Sequence, residues 1–344
     1  PLMTVNNIPM MNADIVTGVS PTSQVPLGSE LVKIQGEDPG SYLEKQIAPL
    51  VAARTFRLKQ NRMLERFVYN RQGESLQFTW KLPDGEEKIT KEVYEKGTRR
   101  ITQTYAKPEI TGHKVETLHQ STTYDVLVLE DKIVYLHLKV MSDLGSSYFT
   151  EVLPQIKDYK YFIIDIRDNL GGSDIAAFQL LSSFYDEIRN FQSFELTSDI
   201  ERMGSHLASH PQREFIYTQP ETCDLTDFRE SELDPIQADR LLLLTNYNTM
   251  SAAESLALLA SDLDSFLLMG TPTAGSCGLR YDVSLEDLGF TFAFTSKGSL
   301  DYEGQSLYGK GIEPDLLIEQ TVDDLKQGID TVLEAAMDQI LSSQ

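Results

Sequence analysis

The chain has 344 residues, 41% of them hydrophobic, and a formal net charge of −22. That length holds two domains and a sizeable core, while the charge repels a phosphate backbone and excludes nucleic acid as a partner. No apolar run reaches the ~20 residues needed to span a bilayer, so no integral membrane segment is expected. Cys223 and Cys277 are too few for a disulfide framework or a zinc site and read as unpaired thiols, with a single bridge as the alternative. The chain begins at Pro1 with neither Met nor a signal peptide, as expected of a processed or trimmed product.

Residues from about 13 to 105 read as a small β-rich module. Asp14–Val19 and Leu31–Gln35 are strand candidates, separated by the turn-rich stretch Ser20–Ser29. A helix begins near Ser41, and Leu76–Trp80 and Lys88–Val93 flank a Pro83-Asp-Gly85 turn. Val93–Glu116 is charged, contains Lys107-Pro108 and reads as a linker, which divides the chain into 1–107 and 108–344. Asp125–Leu129 and Ile133–Val140 then form a hairpin around Glu130–Lys132. Residues 186–238 are polar and poorly patterned. A single closing helix is predicted from the capping pair Thr321 and Asp324 through Leu341.

Two segments carry the chemistry. Tyr161–Ile166 and Leu241–Leu244 are apolar runs short enough for buried parallel strands. Each ends at a polar or Gly turn and continues with helical period, through Ala177, Leu180, Leu181 and Phe184 in one case and Leu256, Leu259, Ala260 and Leu263 in the other. The fold class is therefore α/β, with two turns at the carboxyl ends of parallel strands, where such proteins place their sites. One turn offers Gly171 and Gly172, whose N–H groups can approach a substrate closely. The other offers Ser251 at a helix start, either as an N-cap or as an exposed nucleophile beside small Ala252 and Ala253. Glu254, one turn into that helix, suits a helix-dipole or packing role. Arg167 and Asp168 suit local pairing.

The order and wording of these segments resemble the tail-specific (C-terminal processing) serine peptidases, a family that includes the tricorn core protease. Asp165, Arg167, Asn169, Gly171 and Gly172 match its D-x-R-x-N-x-G-G, and Asn246 or Asn248, Thr249, Ser251, Ala252 and Glu254 match its N-x-x-T-x-S-A-x-E. Gly270-Thr-Pro-Thr-Ala-Gly275 is similar to G-x-x-T-x-G, and Gly309–Asp315 to G-x-G-(I/V)-x-P-D. The segment Val25–Gly36 resembles the start of the family's PDZ-like domain. The resemblance implies a spiral ββα, crotonase-like catalytic domain with Ser251 as nucleophile and an oxyanion hole formed by the N–H of Ala252 and that of Gly171 or Gly172. It also implies a small β-rich PDZ-like N-terminal domain. Val25, Pro26, Leu27 and Gly28 would there form the loop that takes a peptide end, the alternative being a domain that only packs. The substrate implied is a peptide or protein, with no metal and no cofactor, in an extracytoplasmic bacterial setting such as the periplasm or cell surface.

The general base departs from the pattern. Many members carry Lys just after T-x-G, whereas Ser276 stands here and no Lys lies between Leu241 and Ser296. The tricorn-like branch instead uses a His preceding the PDZ-like module and an acid late in the chain. This points to a base upstream of Pro1, to Glu303 as the acid, and to weak activity for the segment alone. Cys277 reads as a bystander, His137 as a core residue, His206 and His210 as surface residues, and His113 and His119 have no helpful spacing. Two rival readings are a catalytically silent peptide-binding homologue and an acyl-CoA enzyme of the related fold.

Overall fold

In the computed structural model, the described residues are 3–8, 13–19, 25–26, 28–53, 55–67, 75–93, 103–104, 110, 112–190, 194–196, 221–229 and 232–342. The chain divides into two units, Pro1–His113 with Ile318–Gln344, and Lys114–Leu317. The sequence division at 107/108 had grouped the C-terminal segment with the second part, but its contacts group it with the first.

The first unit carries β1 (Met3–Ile8), β2 (Ala13–Val19), β3 (Glu30–Ile34), β4 (Ser75–Lys81), β5 (Glu87–Val93) and β6 (Gln103–Thr104). They form an antiparallel sheet in the order β1-β2-β3-β4-β5, with β6 against β2. Helix α1 (Pro39–Gln46) starts where Asp38 Oδ1 accepts the Ser41 N–H at 2.9 Å, and Pro39 supplies a preset φ. Leu43 and Ile47 pack with Leu31, Ile34, Phe78 and Trp80, and Trp80 satisfies its indole N–H on Thr90 at 2.9 Å. Helix α2 (Phe56–Phe67) adds Met63.

The second unit is built on a seven-stranded mixed sheet. Its strands are β7 (Val115–Gln120), β8 (Tyr124–Leu129), β9 (Ile133–Leu138), β10 (Tyr161–Asp165), β14 (Arg240–Thr245), β15 (Phe266–Gly270) and β18 (Leu316–Leu317), in the order β18-β15-β14-β10-β9-β8-β7. β7, β8 and β9 run antiparallel, and β9 onward is parallel. The central runs lack alternation because side chains on both faces are buried. Helices α3 (Ile175–Ser182) and α4 (Ala252–Ser261) share one core with Leu136, Phe162, Ile164, Leu241 and Leu243. Within 186–238, read as irregular, β11 (Glu187–Asn190) pairs with β13 (Glu221–Asp224), while β12 (Phe194–Leu196) joins the hairpin of β16 (Gly278–Leu285) and β17 (Phe290–Ser299). His206 and His210 lie outside the described residues.

Two expectations are corrected. Val93–Glu116, expected as a linker, contains β6 and the start of β7 at Val115; the mostly exposed side chains of β7 hide it from a hydrophobic pattern. The closing helix is two, α5 (Val322–Gln327) and α6 (Thr331–Leu341). Gly328 at φ 73 ends the first, and Asp330 Oδ1 restarts the chain by accepting the N–H groups of Val332 and Leu333 at 3.1 and 3.0 Å. Thr321 caps α5 as predicted, through the Asp324 N–H at 3.1 Å.

Candidate active site

The loops after β10, β14 and β15 converge at the carboxyl ends of these parallel strands. In the first, Asp165 is buried and holds Arg167 through Nη2 to Oδ2 at 2.6 Å and Nε to Oδ1 at 3.0 Å, while Tyr135 donates its hydroxyl at 2.7 Å. Burial opposes ionisation of Asp165. The charge and hydrogen bonds of Arg167, with His137 and the Tyr135 hydroxyl, overcome it and hold the carboxyl below its ordinary range. Asn169 is fully buried and bonds in three directions. Its Nδ2 donates to the Leu138 carbonyl at 2.8 Å, its Oδ1 accepts the Gly171 N–H at 2.9 Å, and its carbonyl accepts the Met250 N–H at 3.0 Å.

The β14 loop locks onto this one. Asn246 and Asn248 both donate to Asp168 Oδ1, at 3.0 and 2.8 Å, so both asparagines left open by the motif belong to the site. Thr249 Oγ1 donates to the Ile166 carbonyl at 2.9 Å. Ser251 then stands at the N-cap of α4 with φ 56 and ψ −128, a region that non-glycine residues rarely occupy. Gly171 packs directly behind it, since a Cβ there would lie 2.5 Å from Ser251 Cβ. At Gly172, with φ 146, a Cβ would meet the Met141 carbonyl oxygen at 1.9 Å. Only glycine fits either position.

The two glycines are not equivalent as donors. The Gly171 N–H is committed to Asn169, whereas among the described residues those of Gly172 and Ala252 have no hydrogen-bond acceptor. Ala252 follows Ser251 in the chain, and Gly172 follows Gly171, which packs against Ser251.

Glu254 is 0% exposed and braces the far side. Oε1 accepts from Thr273 Oγ1 at 2.6 Å and the Gly275 N–H at 2.8 Å; Oε2 accepts from the Ser276 N–H at 2.8 Å and the Ser251 N–H at 3.2 Å. Burial holds this carboxyl above its ordinary range, and the four donors offset that only in part. Three of those neighbours are backbone N–H groups, which can only donate, and their bonds favour the charged form against the burial. The helix-dipole reading missed this, although the S-x-x-E spacing carries the signal for the bond back to the Ser251 N–H. Thr273 in turn accepts the Ile312 N–H at 2.8 Å, and Asp315 Oδ2 accepts the Leu268 N–H at 2.8 Å, so the fourth motif is a brace for β15.

The remaining candidates lie elsewhere. The structure does not bring Glu303 to Ser251. Glu303 is exposed and bonded to Gln305, and the neighbouring Tyr302 ring lies under Arg189, which pairs with Asp262 just past the opposite end of α4. Both cysteines are free, and burial, then the Glu254 charge, push the Cys277 thiol up to about 11, too high for a thiolate nucleophile. His113 pairs with Glu334 at 2.9 Å, His119 stacks on Tyr124, and His137 sits beside Asp165 in register. Among the described residues no hydrogen bond joins Ser251 to a His or Lys. In the first unit, Val25 is a core residue, Pro26 is exposed and accepts from Ser29, Gly28 turns at φ 75, and Leu27 lies outside the described residues.

A serine on a strained strand-to-helix turn, next to backbone N–H groups that have no acceptor among the described residues, is an arrangement found in serine hydrolases. Residues 132–318, more than half of the chain, match peptidase family S41, and the chain belongs to that family of serine peptidases. The fold is similar to that of mature CPAF complexed with lactacystin (TM-score 0.65, 15% identity, 98% of this chain and 81% of that one) and to mature CPAF (TM-score 0.66, 15% identity, 98% and 80%). A putative peptidase from Parabacteroides merdae is also similar (TM-score 0.51, 19% identity, 88% of each chain).

Proposed function

We propose that the protein hydrolyses peptide bonds through an acyl-enzyme on Ser251. The Ser251 hydroxyl attacks the scissile carbonyl, and the negative charge that develops on its oxygen is received by the N–H groups of Ala252 and Gly172. A proton acceptor takes the hydroxyl hydrogen and delivers it to the leaving amine, and water then releases the acyl group. The observation that carries this reading is the backbone of Ser251, held at φ 56 against Gly171, with the N–H groups of Ala252 and Gly172 lacking an acceptor among the described residues. Glu254 acts as a positioning residue, since it reaches Ser251 only through the backbone.

The proposed proton acceptor is a histidine, as in the tricorn-like branch, rather than a lysine. Ser276 occupies the lysine position, and its N–H is committed to Glu254. The N-terminal unit, with its antiparallel sheet and two helices, suits a PDZ-like module that takes an extended peptide as an added strand. The sheet and helices of the second unit suit the spiral ββα, crotonase-like architecture. Among the described residues no helix is long and apolar enough to cross a membrane. The extracytoplasmic bacterial setting rests on the family resemblance alone.

Peptide hydrolysis by wild type and Ser251→Ala tests the mechanism. The variant is expected to lose about a thousandfold or more in rate with its fold intact by circular dichroism. Equal rates above background in the two proteins would refute Ser251 as the nucleophile, and background rates in both would favour a catalytically silent peptide-binding homologue.

A further inference from the structure

Around the Gly171-Gly172 turn the usual burial order is inverted. Polar Asn169 is 0% exposed, while the next residue, Leu170, is 65% exposed. Two more large apolar residues surface beside the same turn, Ile175 at 49% and Val140 at 38%. The backbone imposes this placement. Met141, next to Val140, donates its N–H to the Gly171 carbonyl at 3.0 Å and accepts the Ser173 N–H at 2.7 Å. Ile175 opens α3 with its N–H on Ser173 Oγ at 3.3 Å, and Leu170 is fixed between Asn169 and Gly171, which bond to each other. Single exposed apolar residues are ordinary on a protein surface, but three beside one turn are unusual. Exposed Asp174 borders it.

We propose that Val140, Leu170 and Ile175 form an apolar subsite for the substrate residue that supplies the scissile carbonyl. A large aliphatic side chain is taken there, and an acidic one is rejected by desolvation and by Asp174. This rests on the reading of Ser251 as nucleophile. The carbonyl oxygen of that residue lies at the Gly172 N–H, so its side chain falls beside the same turn. Covering the patch removes apolar surface from water only when substrate is bound, which gives the selectivity its driving force.

The test uses two peptidyl diphenyl phosphonates, identical except for Leu or Asp at the phosphorus-bearing residue. Phosphonylation of Ser251 is followed by intact mass, with Ser251→Ala as control. A small uncharged fluorophosphonate first establishes in wild type whether Ser251 is reactive. The Leu probe is expected to react about tenfold or more faster than the Asp probe, and Leu170→Ser/Ile175→Ser to bring that ratio close to one. Circular dichroism checks the fold of the variant. A wild-type ratio near one, or a ratio unchanged in the double variant, overturns the subsite while leaving Ser251 as nucleophile. No labelling by the small probe refutes the nucleophile reading and the subsite with it.

Discussion

Glu254→Gln is the perturbation that most directly examines how the site is held. The two side chains have nearly the same shape, so packing is preserved and only the acceptor set changes. The carboxylate accepts four hydrogen bonds, two on each oxygen, from Thr273, Gly275, Ser276 and Ser251. An amide keeps one oxygen and turns its NH2 toward the other two donors. Whichever way it flips, two buried N–H groups, or one N–H and the Thr273 hydroxyl, lose their acceptor. Each such loss costs on the order of 1–3 kcal/mol in a buried site, so the variant should lose roughly 2–6 kcal/mol and several degrees of Tm. The same change releases either the Ser251 backbone or the Thr273–Ser276 loop, and a misplacement on the order of 1 Å costs about a hundredfold in rate. Differential scanning calorimetry, together with the Ser251 phosphonylation rate, measures both effects. Glu303→Gln, exposed at a loop, serves as control and should leave Tm within about 0.5 kcal/mol equivalent of wild type. If Glu254→Gln matched wild type in both Tm and labelling, the four-donor brace would be refuted.

Gly172→Ala should abolish Ser251 labelling and lower Tm by more than Glu254→Gln does, because its Cβ would be driven into the Met141 carbonyl; normal labelling in a folded Gly172→Ala protein would remove this turn from the site. The acid limb of stability should depend on Asp165, whose carboxyl is held below its ordinary range. Its ionised form contributes fully above the ordinary aspartate value of about 3.9 and is lost as pH falls through the lowered one, so Asp165→Asn should flatten the loss of stability between about pH 5 and pH 2, and parallel acid limbs in the two proteins would contradict this.

Much of the site was legible because its chemistry requires particular backbones. Adjacent glycines, a serine before two alanines and a short apolar run ahead of each turn specify two strand–turn–helix units, and the structure has both. Legibility failed where a residue's role is set by a partner distant in sequence. Nothing local to Asn169 announces that it ties Leu138, Gly171 and Met250 together, and nothing near Glu254 announces Thr273 or Gly275. Gly171 and Gly172 could not be ranked as donors until the Asn169 side chain was seen to occupy one of them. β7 was hidden because it lies at the sheet edge with an exposed face, where polar residues carry no pattern. The break in the C-terminal helix was written in Gly328 and Asp330, but the apolar period running across them concealed it.

The positive φ of Ser251 costs about 1–3 kcal/mol, so it persists only if its surroundings overdetermine it. Here the turn is held from its own helix and from the loop after β10. Glu254 takes the Ser251 N–H, the Met250 N–H is tied to the Asn169 carbonyl, and Thr249 is bonded to the carbonyl of Ile166. Gly171 closes the space behind the side chain. The Asn169 side chain that engages the Gly171 N–H leaves that of Gly172 as the outward donor. Strain at the serine, commitment of one glycine and availability of the other are therefore one arrangement. A substitution in any of the three loops should be read first for what it does to that backbone, and only then for any contact with substrate.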